Sequence, residues 1–265
     1  MKNLRPKCTA IEALARTLLC AVLLLAGGAA WAGQVVGVVE HLSGPLLDRK
    51  ADGAVKVLAA KSEVESGDTL VSEKNTYAQI RFIDNSEITL RPGTTFKIDN
   101  FAYEADKPDG DSAAFSLVKG GLRSITGLLG KRNKEKFQLK TPAATIGIRG
   151  TTFIAQWVED ASGVRPSTPT PGPGRVTPGL VPDLAPGLHV AVLDGMIVVT
   201  NAGGAQHFPA GQFGFVPNTN QPPIIVPHNP GLQFAPPRLF NGAVGGPLAS
   251  QGAAAQHGGV DCIVR

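Results

Sequence analysis

From Gln34 to Trp157 the apolar residues of this chain recur with a period of two, and that alternation limits the fold more than any other feature. Successive side chains of a strand point to opposite faces, so such a stripe can bury one face of a sheet but not one face of a helix. In the stretch 77–83, Ala78, Ile80 and Phe82 fall on one side while Gln79 and Arg81 fall on the other. Asp84-Asn85 then turns the chain and Glu87 to Leu90 alternates again, which predicts a hairpin or a tight strand corner. Arg91-Pro92-Gly93 makes the next break, Phe96 and Ile98 the next inward pair, and Phe115 with Leu117 another before Lys119-Gly120-Gly121. No helical stripe is sustained, so the expected class is all-β. Strand-turn-strand units recur at about 15 to 25 residues, the spacing of a solenoid rung. A β-solenoid or roll is favoured, and a β-sandwich satisfies the same pattern.

Proline sets the domain limits. Most of the 21 prolines fall in two blocks, 159–187 and 217–265, and a residue that cannot donate to a ladder has little place in a central strand. Residues 188–216 recover strand character between them. The expectation is one β domain over 33–216, interrupted by a flexible Pro-rich insertion at 159–187 and followed by a Pro/Gly-rich, largely irregular tail over 217–265. Short apolar pieces of that tail, such as Ile224-Ile225-Val226, can still dock on the domain as a strand.

The first 32 residues have the form of an export signal. Lys2, Arg5, Lys7 and Arg16 precede an apolar run from Thr17 to Ala26, and Ala30-Trp31-Ala32 supplies small residues for cleavage before Gly33. The run is shorter than the roughly 20 residues a spanning helix needs, so no stable membrane span is expected after cleavage. Cleavage takes away four basic residues and Glu12, and the formal charge of +4 falls to +1. That removes the basic excess a nucleic-acid partner would require. Cys8 and Cys20 leave with the signal, so Cys262 stands alone and no internal disulfide can form. A free thiol is expected there.

Residues 141–153, Thr-Pro-Ala-Ala-Thr-Ile-Gly-Ile-Arg-Gly-Thr-Thr-Phe, read as strand, tight bend, strand. Gly147 and Gly150 are expected where a Cβ could not fit, and Thr151 to Ile154 resume a β-favouring run. This string resembles the end of the core of the FecR domain, a periplasmic all-β module. Other motifs follow in the same order over about residues 35–216. Gly67 and Asp68 resemble the family's Gly-Asp step into a strand. Asp84-Asn85-Ser86 resembles its Asp-Gly-Ser corner, with Asn85 in place of glycine, a mild change because Asn tolerates a left-handed backbone. Gly120 to Arg123 are similar to a Gly-x-hydrophobic-Arg strand start, Thr141 and Pro142 open the signature string, and Gly195, Gly211 and Gln212 close the match. The resemblance implies that these residues, with Gly147, Arg149, Gly150 and Thr151, hold the fold.

In regulators of the named type a cytoplasmic segment binds an iron-responsive sigma factor. Only 16 residues precede the apolar run here, so the expectation is the exported module without that segment.

Catalytic chemistry finds no support. Gly110-Asp111-Ser112 has a lipase-like string but lies in a polar loop rather than a strand-to-helix elbow. Asp106, Asp109 and Asp111 lack the ligand ladder of a calcium loop, and a solvated turn is expected. The five histidines show no metal spacing, so neither a metal nor another cofactor is expected. Lys131 to Lys136 reads as an exposed turn, with Lys131, Arg132 and Lys134 as candidate contacts for an anionic polymer. Arg149 is expected to reach backbone carbonyls at its bend, or else a partner carboxylate. The function expected is that of a non-enzymatic interaction or ligand-sensing module of the cell envelope, with a protein or surface polymer as partner. The alternatives are a scaffold displaying Pro-rich segments and, third, an enzyme acting on an envelope glycan or ester.

Overall fold

The computed structural model describes residues 33–160 and 184–241. The signal, most of the Pro-rich insertion and Cys262 lie outside the described residues. Among the described residues, seventeen strands alternate in chain order between two ladders. β1 (Val35–Leu42) belongs to the first ladder, β2 (Leu46–Arg49) and β3 (Val55–Leu58) to the second, and β4 (Glu63–Glu65) pairs with β1. β5 (Thr69–Ser72) returns to the second ladder, and β6 (Ala78–Phe82) with β7 (Glu87–Leu90) forms a hairpin in the first. β8 (Thr95–Ala102) lies in the second, and β9 (Ser112–Ile125) serves both. β10 (Phe137–Lys140) and β11 (Thr145–Ile148) then add to the second, β12 (Thr152–Val158) and β13 (Gly187–Asp194) to the first. β14 (Met196–Asn201) and β15 (Gly204–Pro209) return to the second, and β16 (Phe213–Val216) and β17 (Ile224–Val226) finish the first. All-β is the class observed. The tail piece 224–226 does pair as a strand, on β16.

β9 explains the double glycine. Its first half pairs with β8 and its second half with β7 and β12, so the strand must bend between them without stopping. Gly120 takes a φ of +81°, and a Cβ there would collide with Thr94. Thr94 fastens the bend by donating Oγ1–H to the Gly121 carbonyl at 2.9 Å and accepting the Gly121 N–H at 3.0 Å. The Gly120–Arg123 motif is therefore a passage from one ladder to the other rather than a strand start.

One apolar core is shared by residues of both ladders. Phe82 of the first lies 5.3 Å from Phe115 of the second, centroid to centroid, and 4.9 Å from Phe101. Phe96 and Ile98, expected inward, are fully buried. Each such side chain contributes about 1.5–3 kcal/mol by leaving water. Period two does what it predicts in strands such as β8 and β10, whereas β7, β12 and β13 are buried on both faces over 88–90, 153–155 and 187–192. Gln79, on the outward side of β6, is likewise only 1% exposed.

Among the described residues one α-helix is present, α1 (Leu128–Arg132), and no helix is long and apolar enough to cross a membrane.

Candidate functional site

The signature string builds the corner where the chain leaves β11 and enters β12. Thr141 closes the β10–β11 turn, its Oγ1 accepting the Ala144 N–H and donating to the Ala144 carbonyl at 2.7 Å, with Pro142 exposed at the tip. After β11, Thr151 donates Oγ1–H to the Met196 carbonyl at 2.6 Å and its N–H to Thr126 Oγ1 at 2.9 Å. The Arg149 N–H donates to that same Met196 carbonyl at 2.9 Å. Gly150 takes a φ of +65°, the left-handed region that disfavours a Cβ. Gly195, at φ +74°, abuts the Gly150 carbonyl, so two glycines share the corner.

Gly147 departs from expectation. Its backbone is ordinary strand, and a Cβ there would meet nothing nearer than the Val198 carbonyl at 3.9 Å. Even at Gly150 the constraint is backbone angle rather than space, since no atom lies within 4 Å of its Cβ position. Arg149 departs as well. Its side chain is exposed and, among the described residues, bonds no carbonyl; its main chain fixes the bend.

That exposed side chain stands over an open cleft of about 420 Å³ on the outer side of the second ladder. Gly147 and Val198, opposite each other in register, line it together with Thr145 and Thr200, the next pair on the same face. Gln138 of β10 adds an amide, and Lys134 and Glu135 come from the 3-10 turn after α1. The cleft therefore joins Gly147 and Arg149 of the signature with Lys134 of the basic cluster. Two cations, one carboxylate and three neutral polar side chains around Gly147 suit an extended, predominantly anionic segment.

The rest of the basic cluster is placed differently. Lys131 and Arg132 are both exposed at the end of α1, but Arg132 is already engaged. Its guanidinium binds Asp111 through both carboxylate oxygens, at 2.6 and 2.7 Å, and donates to the carbonyls of Ala105 and Glu104. It also lies 4.5 Å from the centre of the Tyr103 ring. Asp111 is 2% exposed, and Asn133 donates to it at 2.8 Å. The Arg132 hydrogen bonds, against the opposing effect of burial, hold the Asp111 carboxyl below the usual carboxylate range. So the polar loop is no solvated turn at Asp111, while Lys131–Lys136 is exposed as expected and is tied to that loop by an ion pair that a spacing of 21 residues hid.

The other motif residues do local work away from the cleft. Asp84, 2% exposed, accepts the Ser86 N–H and hydroxyl through Oδ1, and its Oδ2 and carbonyl accept the first amides of α1. Asn85 occupies φ +61°, as its replacement of glycine requires. Asp68 accepts the Glu65 N–H at 2.7 Å and the Lys50 ammonium at 2.8 Å, just after Gly67 at φ +98°. Gly211, at φ +84°, and Gln212 turn β15 into β16. Arg123 lies on the far side, outward from β9, with the Phe234 ring 5.1 Å away. Ser112 accepts from Asn100 and has no base beside it, and the described residues hold no group of three His, Cys, Asp or Glu placed for a metal.

The architecture is that of an all-β module built of alternating ladders with an open cleft at one corner. Residues 68–166 match the family model described as FecR protein. Two crystal structures of a candidate anti-sigma factor from Parabacteroides distasonis ATCC 8503, at 1.65 and 2.50 Å resolution, are similar to it. They show 14% and 15% identity and a TM-score of 0.40, each covering 60% of this chain. The chain aligns with 58% of the length of those structures. Comparison with curated proteins gives no match.

Proposed function

We propose that this protein is an exported, non-enzymatic regulatory module that binds an anionic segment of a cell-envelope partner, protein or polymer, in the Arg149 cleft. The observation that carries this reading is the Arg149 guanidinium, exposed over an open cleft with no side-chain partner among the described residues, although its main chain is fixed at both neighbours. A cation held on a rigid corner loses little freedom on binding a carboxylate or phosphate, and Arg offers such groups paired donors. Lys134 extends the same field. The signal-like N-terminus supports export, and the match to the FecR family model at 68–166 supports a role in signalling.

The reading is tested by retention on isolated envelopes as a function of ionic strength. Replacing Lys134 and Arg149 by Gln is expected to lower the salt concentration at which the protein elutes, while Arg132→Lys leaves elution unchanged. Equal elution of the Lys134/Arg149 variant and the wild type would remove the cleft as the contact.

A further inference from the structure

The outer side of the first ladder is also occupied, by the chain's own C-terminal segment. Register aligns His41, Gln79, Thr89, Arg123, Ile154 and Ala191 in one row across the strands. Residues 229–241 lie along this row as a strap. Leu232 packs on Ile154 and Ala191, the Phe234 ring covers Arg123, and the Phe240 ring lies 5.6 Å from His41. Tyr77 meets both phenylalanines edge-on.

The strap fits this row by shape and not by polarity. Its hydrogen bonds stay within itself, from Asn229 with Gly231 and Leu232 and from the Phe240 N–H to Pro237; among the described residues none crosses to the ladder. Beneath it, Gln79 donates Nε2–H to Glu87 at 2.9 Å, but its Oε1 has no partner although the side chain is 1% exposed. Arg123 Nε is buried with no acceptor. Of the acids nearby, Glu87 pairs with Gln79 and with Arg81 at 3.3 Å, and Glu40 pairs with Arg81 at 2.7 Å through Oε1 while its Oε2 is buried without a partner; neither hydrogen-bonds Arg123. A row that buries an acceptor and a guanidinium N–H under an aromatic ring is incompletely matched, because each orphaned group has given up water for nothing. A cover held only by side-chain anchors belongs to the least stable part of a fold.

We propose that this row is a docking site for an extended acidic segment of a partner protein, which displaces the strap and sets a carboxylate over Arg123 where the Phe234 ring lies. The carboxylate completes the Arg123 donor set in a charge-assisted bond. An aliphatic residue two positions earlier takes the place of Leu232, and a main-chain N–H of the segment meets Gln79 Oε1. The strap is then a cover of the right shape that leaves out the charge the site selects. This surface stands on observations independent of the Arg149 cleft.

The test uses the full chain with Leu232, Phe234 and Phe240 replaced by Ser to release the strap, and labelled synthetic peptides of residues 229–241. The peptide carrying Phe234→Glu is expected to bind at least about tenfold more tightly than one carrying Phe234→Gln, as a charged acceptor opposite a desolvated guanidinium requires. Arg123→Gln in the protein is expected to erase that difference, and the intact strap to weaken the binding of both peptides. Equal binding of the two peptides, a difference that survives Arg123→Gln, or equal binding to intact and released chains would overturn the proposal. If the released chain does not fold, single Phe234→Glu and Phe234→Gln substitutions in the intact chain answer the same question by amide exchange. Slower exchange over 229–241 in the Glu variant supports the site, and indistinguishable exchange overturns it.

Discussion

Arg132 and Arg149 lie 17 positions apart, and the sequence leads one to expect Arg132 open and Arg149 bonded to carbonyls, yet Arg132 is fastened and the Arg149 side chain has no partner among the described residues. Arg132 closes on Asp111 with two short bonds and on two carbonyls besides, so its charge is used to hold the 104–111 loop against α1. Arg149 has its main chain fixed and its side chain open over the cleft. The difference teaches that availability of a cation depends on what the fold brings opposite it. Arg123 shows a third outcome, with a ring in the place of an acid.

The comparison can be broken at several depths. Both sites rest on the shared core, so Phe115→Ala, which empties the centre of the aromatic cluster, should cost about 3–5 kcal/mol and weaken both together in denaturant unfolding. Arg132→Met is expected to lower the melting temperature distinctly and to speed amide exchange over 104–111, because Asp111 would stay buried without its counter-charge. No change in that exchange would contradict the fastened role.

Gly150→Ala forces a Cβ into the left-handed region and should cost about 1–2 kcal/mol, whereas Gly147→Ala should be close to neutral in stability. Measured together by thermal unfolding, they separate the corner from the cleft.

Acid should act in two windows. Burial, opposed by the Ala185 carbonyl that Nε2 contacts at 2.7 Å, pushes the His189 imidazole below its ordinary value of 6.5. The unfolded chain then takes up that proton first, so stability is complete above 6.5 and declines as pH falls below it. Asp111, held below its ordinary 3.8, contributes stability above that pH and loses it as pH falls through its lower folded value. A urea midpoint series across pH 3–8 should therefore fall in two steps. His189→Gln is expected to remove the upper step and Asp111→Asn the lower. The smallest expected effect is Arg149→Met, within about 0.5 kcal/mol of wild type, as for a surface side chain without partners.

The all-β class was legible because period two is a local property and β8, the first half of β9 and β10 obey it. The passage of β9 between ladders was only half legible: Gly120-Gly121 marked a break, but the partners that turn a break into a bend lie at Thr94 and in β12. Corner residues such as Asn85 and Gly150 declared themselves through backbone preference. The Arg132–Asp111 pair did not, since its two ends look like ordinary surface charges. Gln138, Thr145 and Thr200 were not singled out for the same reason: only the register of β10, β11 and β14 places them around Arg149. The strap was missed because Leu232, Phe234 and Phe240 sit among prolines, where no period signals burial.

The central claim is that the open Arg149 cleft is the recognition site. It is tested most directly by crosslinking the full chain in intact envelopes and comparing wild type with Arg149→Ala at equal melting temperature. The expected result is a partner recovered in fixed stoichiometry with the wild type and lost with Arg149→Ala. Recovery of the same partner in the same amount with both proteins would contradict it.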